Sequence, residues 1–277
     1  MSIQSGAPDS SIRAIAADVV RSLATHRQID TFARSPRGLS VADAYRVTPL
    51  LRAAFEGRGE RIIGRKIGFT NRRMWAVHGV RAPIWGYCTD QTTFKIATTS
   101  AQHACNFVEP RIEPEIVFGL GKAPTLEMDV AALLDCIDWV ALGYEIVQSI
   151  YPAWSFTAAD TIAANALHGA LLVGDRHAIA PRKGAWESDL ASFGIELYCN
   201  GKLSETGGGS SVLDSPLLAL RHLVQLLAND PHNPPLSAGE MISTGTLTLA
   251  KPIAAGETWT TKVHGIPLDD VGLRIEA

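Results

Sequence analysis

Hydrophobic residues are spaced as in helices in the first part of the chain and as in strands in the rest. Two early segments, Ile12–Leu23 and Ala44–Phe55, carry an apolar residue every three or four positions, which is the period of an amphipathic helix. Ser40 precedes the second segment, with Asp43 three residues after it, and this arrangement favours a helix start. The sequence therefore predicts an N-terminal helical region over residues 1–61.

The remainder, residues 62–277, contains many short apolar or alternating runs separated by glycine and proline, a pattern typical of strands. Ile195–Cys199 alternates regularly, and the Asn200-Gly201 pair after it favours a tight hairpin turn. Gly207–Gly209 is interpreted as a flexible connection. We predict an α+β fold in which an antiparallel or mixed sheet rolls up. Further predicted strands are Arg111–Phe118, Trp139–Val147, Met241–Leu247, Glu257–Val263 and Gly272–Ile275.

The composition is that of an ordinary globular protein, with 46% hydrophobic residues and a formal net charge of -3 among 277 residues. Without a basic surface, neither nucleic acid nor an anionic membrane is an expected partner. Apolar runs fall short of the roughly 20 residues of a membrane span, and the first residues do not resemble a secretory signal, so we expect a cytoplasmic protein. The four cysteines are scattered, which argues for reduced thiols rather than disulfides or a zinc site.

Two glutamates interrupt one of the predicted apolar strands. In a strand over Arg111–Phe118, Glu113 and Glu115 share a face, and their Cα atoms lie roughly 7 Å apart. Glu145 is a third acidic residue within an apolar strand. Burial of unpaired carboxylates is costly, and a hard divalent cation such as Mg²⁺ would relieve it because such ions prefer oxygen ligands. A solvated acidic edge strand is the alternative, and the residues alone leave both interpretations open.

Lys66 lies within the short apolar run Ile62–Thr70. A buried lysine is desolvated and loses proton affinity unless a carboxylate compensates, which is how lysine becomes a base or an electrostatic group. The alternative is that the Lys66 ammonium reaches solvent. The Pro- and Trp-containing segment Val80–Tyr87 is predicted to be a loop that forms one wall of a pocket.

Five motifs distributed along the chain fit one family. They are Gly64–Thr70, Glu109–Ile116, Tyr144–Val147, Asp160–Ala163 with Asn165, and Ala238–Glu240 followed by Ser243–Thr246. Together they resemble the fumarylacetoacetate hydrolase superfamily, and within it the branch of 2-oxopent-4-enoate hydratases and 4-oxalocrotonate decarboxylases. The resemblance covers nearly the whole chain after the first of these motifs.

The resemblance implies a mixed β-sandwich roll, with the N-terminal helices as an added layer and residues 62–277 as the catalytic domain. It implies that Glu113, Glu115 and Glu145 bind one Mg²⁺ or Mn²⁺ ion and that Lys66 is the active-site lysine. The cation would chelate the 2-oxo and carboxylate oxygens of a small 2-oxo acid and stabilise the enolate formed beside that carbonyl. A homo-oligomer is expected on the same basis.

Two departures from the branch affect its acid-base groups. Ile84 follows Pro83 where the hydratases have an acidic residue, and Leu167 stands where they have a serine, with His168 beside it. Proton transfer contributes about 10²–10⁴-fold to a reaction, so the loss of these groups either impairs hydration or indicates that His168 or Lys66 has taken over this role. Both are predicted catalytic residues. Ile84 and Leu167 also predict a drier pocket, in which decarboxylation gains relative to hydration.

The sequence thus predicts a metal-dependent lyase that hydrates or decarboxylates a short 2-oxo or 2-hydroxydienoate acid. Two alternatives remain at this point: a hydrolase that cleaves the carbon-carbon bond of an acylpyruvate, and a non-catalytic metal- or metabolite-binding paralogue, which the two departures would explain. The residues predicted to bind the substrate are Phe69, Ile84, Trp85, Gln148, Leu167, Thr244, Gly245 and Thr246.

Overall fold

The structure is a computed structural model that describes residues 10–34, 38–78, 80–98 and 101–277. The first nine residues of the predicted N-terminal region lie outside this part. The described helices are α1 (Ser10–Thr25), α2 (Val41–Gly57), α3 (Trp75–His78), α4 (Val130–Leu134), α5 (Ala158–Ala163), α6 (Lys183–Ser192) and α7 (Pro216–Ala228). The described strands are β1 (Ile62–Gly68), β2 (Ile84–Thr89), β3 (Thr93–Lys95), β4 (Ala101–His103), β5 (Arg111–Leu120), β6 (Ile137–Val147), β7 (His168–Val173), β8 (His177–Ala178), β9 (Gly194–Cys199), β10 (Lys202–Gly208), β11 (Met241–Thr246), β12 (Lys251–Pro252), β13 (Thr258–His264) and β14 (Val271–Glu276).

Two sheets form the body of the molecule. The larger has the strand order β2-β1-β11-β5-β6-β7-β3, with β12 paired to β5 and β8 paired to β6, and the smaller has the order β10-β9-β13-β14-β4. Both sheets are mixed, because β1 runs parallel to β11 and β14 parallel to β4 while most other pairs are antiparallel. The architecture agrees with the predicted α+β fold.

The two faces of the larger sheet have different neighbours. Tyr144 and Glu145 are consecutive in β6 and therefore point to opposite faces. The Tyr144 hydroxyl lies 2.8 Å from Thr261 Oγ1 and donates to Val271 O at 3.1 Å, which ties β6 to the smaller sheet. Glu145 therefore faces away from the smaller sheet, towards the candidate site.

The two N-terminal helices begin and end close to their predicted positions. Ser40 caps α2 by accepting a hydrogen bond from the Asp43 amide at 3.0 Å. Tyr45 of the same helix stacks on Trp85 of β2, with ring centroids 6.0 Å apart. The helical layer thus packs directly on the larger sheet, and the domain boundary after residue 61 stays a prediction. No described helix is long and apolar enough to cross a membrane.

The segment that was predicted to be a loop, Val80–Tyr87, instead runs into a strand. All six residues of β2 are buried, and the strand pairs antiparallel with β1 so that Gly86 lies opposite Lys66. The composition of this segment, with its proline and tryptophan, did not indicate a strand. The strand forms because the segment pairs with β1, which precedes it in the chain. The prediction of a loop was therefore wrong at Ile84–Tyr87.

Gly207–Gly209, predicted to be a flexible connection, is instead tightly packed at the end of β10. A Cβ atom at Gly207 would come within 1.9 Å of Leu247 O, and one at Gly208 within 2.1 Å of Phe193 O. The glycines are needed for close backbone approach rather than for movement. They hold β10 against the segment that follows β11.

Candidate metal and substrate site

Three glutamates from adjacent strands converge on one point. Glu113 of β5 lies directly opposite Glu145 of β6, and Glu115 is two residues further along β5 on the same face. One carboxylate oxygen of each residue lies within 4.8 Å of the others. Glu115 and Glu145 are fully buried and Glu113 is partly buried. The structure therefore brings the three predicted ligands together in one largely enclosed cluster.

Burial and mutual repulsion change the acidity of this cluster. Burial, followed by the charge of Glu145, raises the pKa of Glu115 well above its usual range. Burial also raises the pKa of Glu113, to about 7, against the opposing effect of Lys66. For Glu145 the effect of burial is outweighed by Lys66 and His168, and its pKa is lowered. Two of the three carboxyls thus resist ionisation, and additional positive charge would favour their charged forms.

The two oxygens of Glu115 differ in their partners. Oε2 accepts hydrogen bonds from the Ser243 hydroxyl at 2.5 Å and from the Gly245 amide at 2.9 Å, whereas Oε1 is buried and has no hydrogen-bond partner among the described residues. A buried acceptor without a donor is costly, and a hard cation is a suitable partner for it. Because a carboxylate donor set suits Mg²⁺ or Mn²⁺ rather than zinc, these residues fit such a cation.

Lys66 reaches the cluster from β1. Its Nζ atom lies 3.0 Å from Glu145 Oε2 and donates to Ala166 O at 2.9 Å, and only 2% of the residue is exposed. Burial acts to lower the pKa of Lys66, but the three glutamates, led by Glu145, outweigh it and raise the pKa. The predicted burial is therefore observed, and the side chain is an ammonium that can donate a proton or bind an anion.

A cavity opens beside Lys66 and Glu113. Most of its wall is apolar, as is usual for sites that bind small molecules. The predicted substrate-binding residues in this wall are Phe69, Ile84, Leu167 and Thr246. Other side chains in the wall include Arg111, Val147, Trp154 and Phe156.

Comparison with known proteins extends this description. The C-terminal domain of fumarylacetoacetate (FAA) hydrolase matches this chain over residues 66–268. The chain belongs to the fumarylacetoacetate hydrolase family. The matched segment includes Lys66, the three glutamates and all strands of the larger sheet except for the first part of β1.

Relatives within this family include both hydratases and decarboxylases. A 2-hydroxyhexa-2,4-dienoate hydratase of Comamonas testosteroni is 31% identical over 233 residues, which cover 82% of this chain and 84% of the relative. A 4-oxalocrotonate decarboxylase of Pseudomonas sp. is 33% identical over 233 residues, with coverage of 82% and 85%. The solved structure of 4-oxalocrotonate decarboxylase from Pseudomonas putida G7, complexed with magnesium and adipate, has a TM-score of 0.86 and 26% identity, covering 96% of this chain and 97% of that chain. The predicted family, branch and fold are confirmed.

A strained turn shapes the cavity of this family member. Asn165, Ala166 and Leu167 all have positive φ angles, of 53°, 52° and 62°, which residues other than glycine rarely adopt. The Asn165 side chain fixes the turn because it accepts from Tyr87 N at 2.7 Å and donates to Tyr87 O at 2.9 Å. The turn holds the Ala166 carbonyl against Lys66 and places Leu167 in the cavity wall. Backbone strain of this kind clusters at functional sites.

His168 lies behind the carboxylates and outside the cavity wall that contains Lys66. Its Nδ1 atom is 2.8 Å from Glu145 Oε1, and its Nε2 atom is 3.0 Å from Thr92 Oγ1. Burial acts to lower the pKa of His168, but Cys88 and Glu145 outweigh it and raise the pKa to about 10. This geometry places His168 where it can orient Glu145, and its predicted role as a catalytic residue stays a prediction.

Two of the predicted substrate-binding residues lie away from the cavity. Trp85 follows Ile84 in β2 and so points to the opposite face of the sheet, where it packs on Tyr45. Gln148 accepts from Val108 N at 3.2 Å and lies beside His168 in a separate cavity behind the glutamates. The sequence placed both residues near the motifs but did not show which face each side chain occupies.

The Thr244-Gly245-Thr246 motif contributes through its backbone and one flanking hydroxyl. Thr244 points away from the cluster and donates to Ile116 O at 2.9 Å. Gly245 has a φ of 103°, and a Cβ atom there would lie 1.8 Å from the Thr70 hydroxyl, so the amide that binds Glu115 requires glycine. Ser243, which was not predicted to be a site residue, supplies the hydroxyl that binds the same carboxylate.

Arg111 and Trp154 also line the cavity without having been predicted to do so. Strand alternation places Arg111 on the same face of β5 as Glu113, so a signal for Arg111 was present in the sequence. Trp154 lies in a short turn after β6, and its ring is 4.0 Å from the Arg111 guanidinium carbon. No local pattern predicts that contact, because it depends on the path of the chain between β6 and α5.

Proposed function

We propose that this chain is a divalent-metal-dependent lyase that hydrates or decarboxylates a short 2-oxo or 2-hydroxydienoate acid. The observation that carries the proposal is the convergence of three glutamate oxygens within 4.8 Å beside the buried Lys66. The relatives named above are enzymes of this class, and one of them is complexed with magnesium. The comparisons bear out the predicted class of reaction and the divalent cation.

Each site residue has a distinct role in this proposal. Glu113, Glu115 and Glu145 hold the cation, which supplies Lewis-acid polarisation of the 2-oxo group when bound. Lys66 donates its Nζ proton to the substrate carbon skeleton or orients the substrate carboxylate. Ala166 O holds that ammonium at 2.9 Å, so that its position is fixed before the substrate enters.

The apolar wall favours decarboxylation over hydration. Ile84 and Leu167 line the cavity with hydrocarbon where the hydratases have polar groups. Loss of CO₂ leaves an intermediate that needs only a proton, which Lys66 is placed to give. Hydration needs an activated water as well, and an apolar wall offers little to hold or deprotonate it.

Product analysis tests the proposal. The purified protein is incubated with Mg²⁺ or Mn²⁺ and with 2-hydroxypentadienoate, 4-oxalocrotonate, oxaloacetate or an acylpyruvate. We expect metal-dependent turnover of one of the first two compounds, and we expect Glu115→Gln to abolish both turnover and calorimetric Mg²⁺ binding. Cleavage of the acylpyruvate alone would establish the hydrolase alternative. If Glu115→Gln bound Mg²⁺ as well as the parent does, the assignment of the cluster would be lost.

The location and the assembly of the protein are further parts of this proposal. All four cysteines are free thiols in the structure, which supports a reducing compartment such as the cytoplasm. We also propose a homo-oligomer, on the basis of the family resemblance. Light scattering at micromolar concentration tests it, since a mass of 29.7 kDa would show a monomer.

A further inference from the structure

A second cavity, which we call the basic cavity, lies outside the candidate metal and substrate site. Its basic side chains are Arg72, Arg81, Arg221 and His222, and Asp214 is the one acidic residue among the described residues that line it. The basic cavity therefore carries an excess of positive charge, whereas the chain as a whole has a formal net charge of -3. Positive charge concentrated in this way attracts anions.

Two of the three arginines have no side-chain partner within the described part of the chain. The Arg72 guanidinium lies 2.7 Å from Asp214 Oδ2, and both side chains are more than half exposed, so this pair is weakly held. The guanidinium groups of Arg81 and Arg221 make neither an ion pair nor a hydrogen bond with another described residue. Their donors are therefore available to a ligand.

His222 supplies a polar atom that needs a partner. It lies on α7, and its Nε2 atom is buried without a hydrogen-bond partner among the described residues. Burial lowers the pKa of His222, so the neutral ring is favoured, and this ring can carry its proton on Nε2. A buried polar atom without a partner is costly, and a ligand oxygen that accepts from Nε2 would relieve that cost.

A strained turn forms one side of the basic cavity. Leu213 and Asp214 are consecutive and have positive φ angles, of 49° and 74°, which residues other than glycine rarely adopt. The turn is tied to the segment that follows β1, because Leu213 N donates to Thr70 O at 3.1 Å. Strain of this kind clusters at functional sites.

The basic cavity and the candidate metal and substrate site lie against the same two segments of the chain. In one segment, Asn71 lines the cavity beside Lys66 while Arg72 lines the basic cavity. In the other, Ile84 lines the cavity beside Lys66 while Pro83 lines the basic cavity. A ligand in the basic cavity would therefore contact segments that also form the wall of the site.

We propose that the basic cavity binds a phosphate group, carried by a phosphate ester or present as free phosphate. A phosphate ester is largely a dianion at neutral pH and presents three strong acceptor oxygens, and this charge matches the excess of the three guanidinium groups over Asp214. A guanidinium can bind phosphate through two parallel N–H···O bonds. Trp75 and Leu218 offer an apolar wall to the rest of an ester. The inference does not depend on the proposed reaction, because the two cavities share no lining residue.

Calorimetric titration of the cation-free protein tests the inference. A chelator removes Mg²⁺, which would bind phosphate, and the ionic strength is held constant because salt screens exposed charges. We expect the parent to bind inorganic phosphate and phenyl phosphate saturably, and we expect Arg221→Gln to bind both about tenfold more weakly because it loses a charge-assisted contact. Arg81→Gln should show the same loss. Tighter binding of phenyl phosphate identifies an ester as the ligand and tighter binding of inorganic phosphate identifies the free ion, and either result supports the site.

Asp214→Asn provides a change in the opposite direction. It removes the acidic residue of the basic cavity, and asparagine tolerates the positive φ at this position. We expect this variant to bind phosphate about two- to fivefold more tightly, the usual effect of one exposed charge. Damage to the fold would not tighten binding, so this variant separates a binding role from a structural one. Unchanged or weaker binding would contradict the inference.

Two control variants locate the site. Arg111→Gln removes a cation from the cavity beside Lys66, and Arg274→Gln removes an exposed charge outside both cavities. Both should bind phosphate as tightly as the parent does. The inference is overturned if the parent shows no saturable binding at about 10 mM phosphate, if Arg221→Gln binds as tightly as the parent, or if either control loses binding as Arg221→Gln does. Tighter binding of succinate than of phosphate would also overturn it, because the basic cavity would then select a dicarboxylate.

Discussion

The Glu145 carboxylate is held from both sides. Its Oε1 atom lies 2.8 Å from His168 Nδ1, and its Oε2 atom lies 3.0 Å from Lys66 Nζ. The other ring nitrogen of His168 is fixed by the Thr92 hydroxyl at 3.0 Å. Such outer groups set the orientation of metal-binding carboxylates, and we propose that His168 positions Glu145 for the cation.

Substitution of His168 tests this positioning role. We expect His168→Ala to weaken Mg²⁺ binding by about 10- to 100-fold, the usual effect of losing an outer-shell partner. His168→Asn should recover most of the affinity, because its amide nitrogen can occupy nearly the position of Nδ1 and donate to Glu145. Calorimetric titration with Mg²⁺ measures both variants, and thermal unfolding without the cation controls for damage to the fold. A His168→Ala variant that binds Mg²⁺ as tightly as the parent would show that the Glu145 contact has no such role.

At the scale of single residues, the sequence predicted which residues belong to the site better than it predicted the face of the strand to which each side chain points. The three glutamates and Lys66 could be singled out because charged residues in apolar strands need partners. Trp85 was misplaced because its neighbour Ile84 occupies the cavity face, and one step along a strand reverses the direction of the side chain. Because the register of β2 was unknown, the sequence could not show which of the two residues faces the cavity.

The strand β2 forms one wall of the cavity, and Ile84 is its first residue. Ile84 pairs with Gly68 of β1, where a Cβ atom would lie 3.1 Å from Ile84 Cγ1. The same side of β1 carries Lys66, so a side chain at position 84 projects into space next to the ammonium. An acidic group at this position would therefore be close enough to take part in proton transfer with a water molecule.

We expect Ile84→Asp to shift the enzyme towards hydration. The added carboxylate should raise the ratio of 2-hydroxypentadienoate turnover to 4-oxalocrotonate turnover by at least about tenfold, at the low end of the effect of a general acid or base because its position is not optimised. Ile84→Asn is the matched control, since it adds polarity without an ionisable group. Product analysis by chromatography measures the ratio. If the parent already hydrates efficiently and Ile84→Asp gives no gain, the argument from a dry cavity is wrong.

Elements that carry a regular hydrophobic period were predictable, and elements defined by distant partners were not. The strands β5, β6 and β9 show apolar or alternating runs, and α2 has a cap and a helical period. The segment Gly207–Gly209 carries no such signal. Its glycines leave room for Leu247 O and Phe193 O, which approach from other parts of the chain. A glycine in a sequence does not show whether the backbone at that position is flexible or closely packed.

The site assembles only when distant parts of the chain fold together. Lys66 comes from β1, the glutamates come from β5 and β6, and Ser243 comes from β11. The folded molecule therefore concentrates negative charge that the unfolded chain keeps apart. Its overall stability should depend on how that charge is neutralised, and both pH and the cation should change it.

The direction of the pH effect follows from the two raised pKa values. A carboxyl whose pKa is higher in the folded state contributes stability at low pH, and this contribution is lost as pH rises through the folded pKa. For Glu113 that value is about 7. We therefore expect the cation-free protein to lose stability as pH rises from about 5 to about 7, between the ordinary pKa of a glutamate and the raised pKa of Glu113, as the cluster becomes ionised with no cation bound.

A bound cation should reverse this loss. Mg²⁺ binds the ionised carboxylates, so the stabilisation that it gives should grow over the same interval and reach about 2.7 kcal/mol when its concentration is 100 times its dissociation constant. Urea unfolding at pH 5 and pH 7, with Mg²⁺ and with a chelator, measures both effects. Glu115→Gln removes one ionisable group from the cluster and should show a smaller loss of stability with pH and little gain from Mg²⁺. A gain from Mg²⁺ that is the same at both pH values, or the same in Glu115→Gln, would mean that the cation acts elsewhere on the molecule.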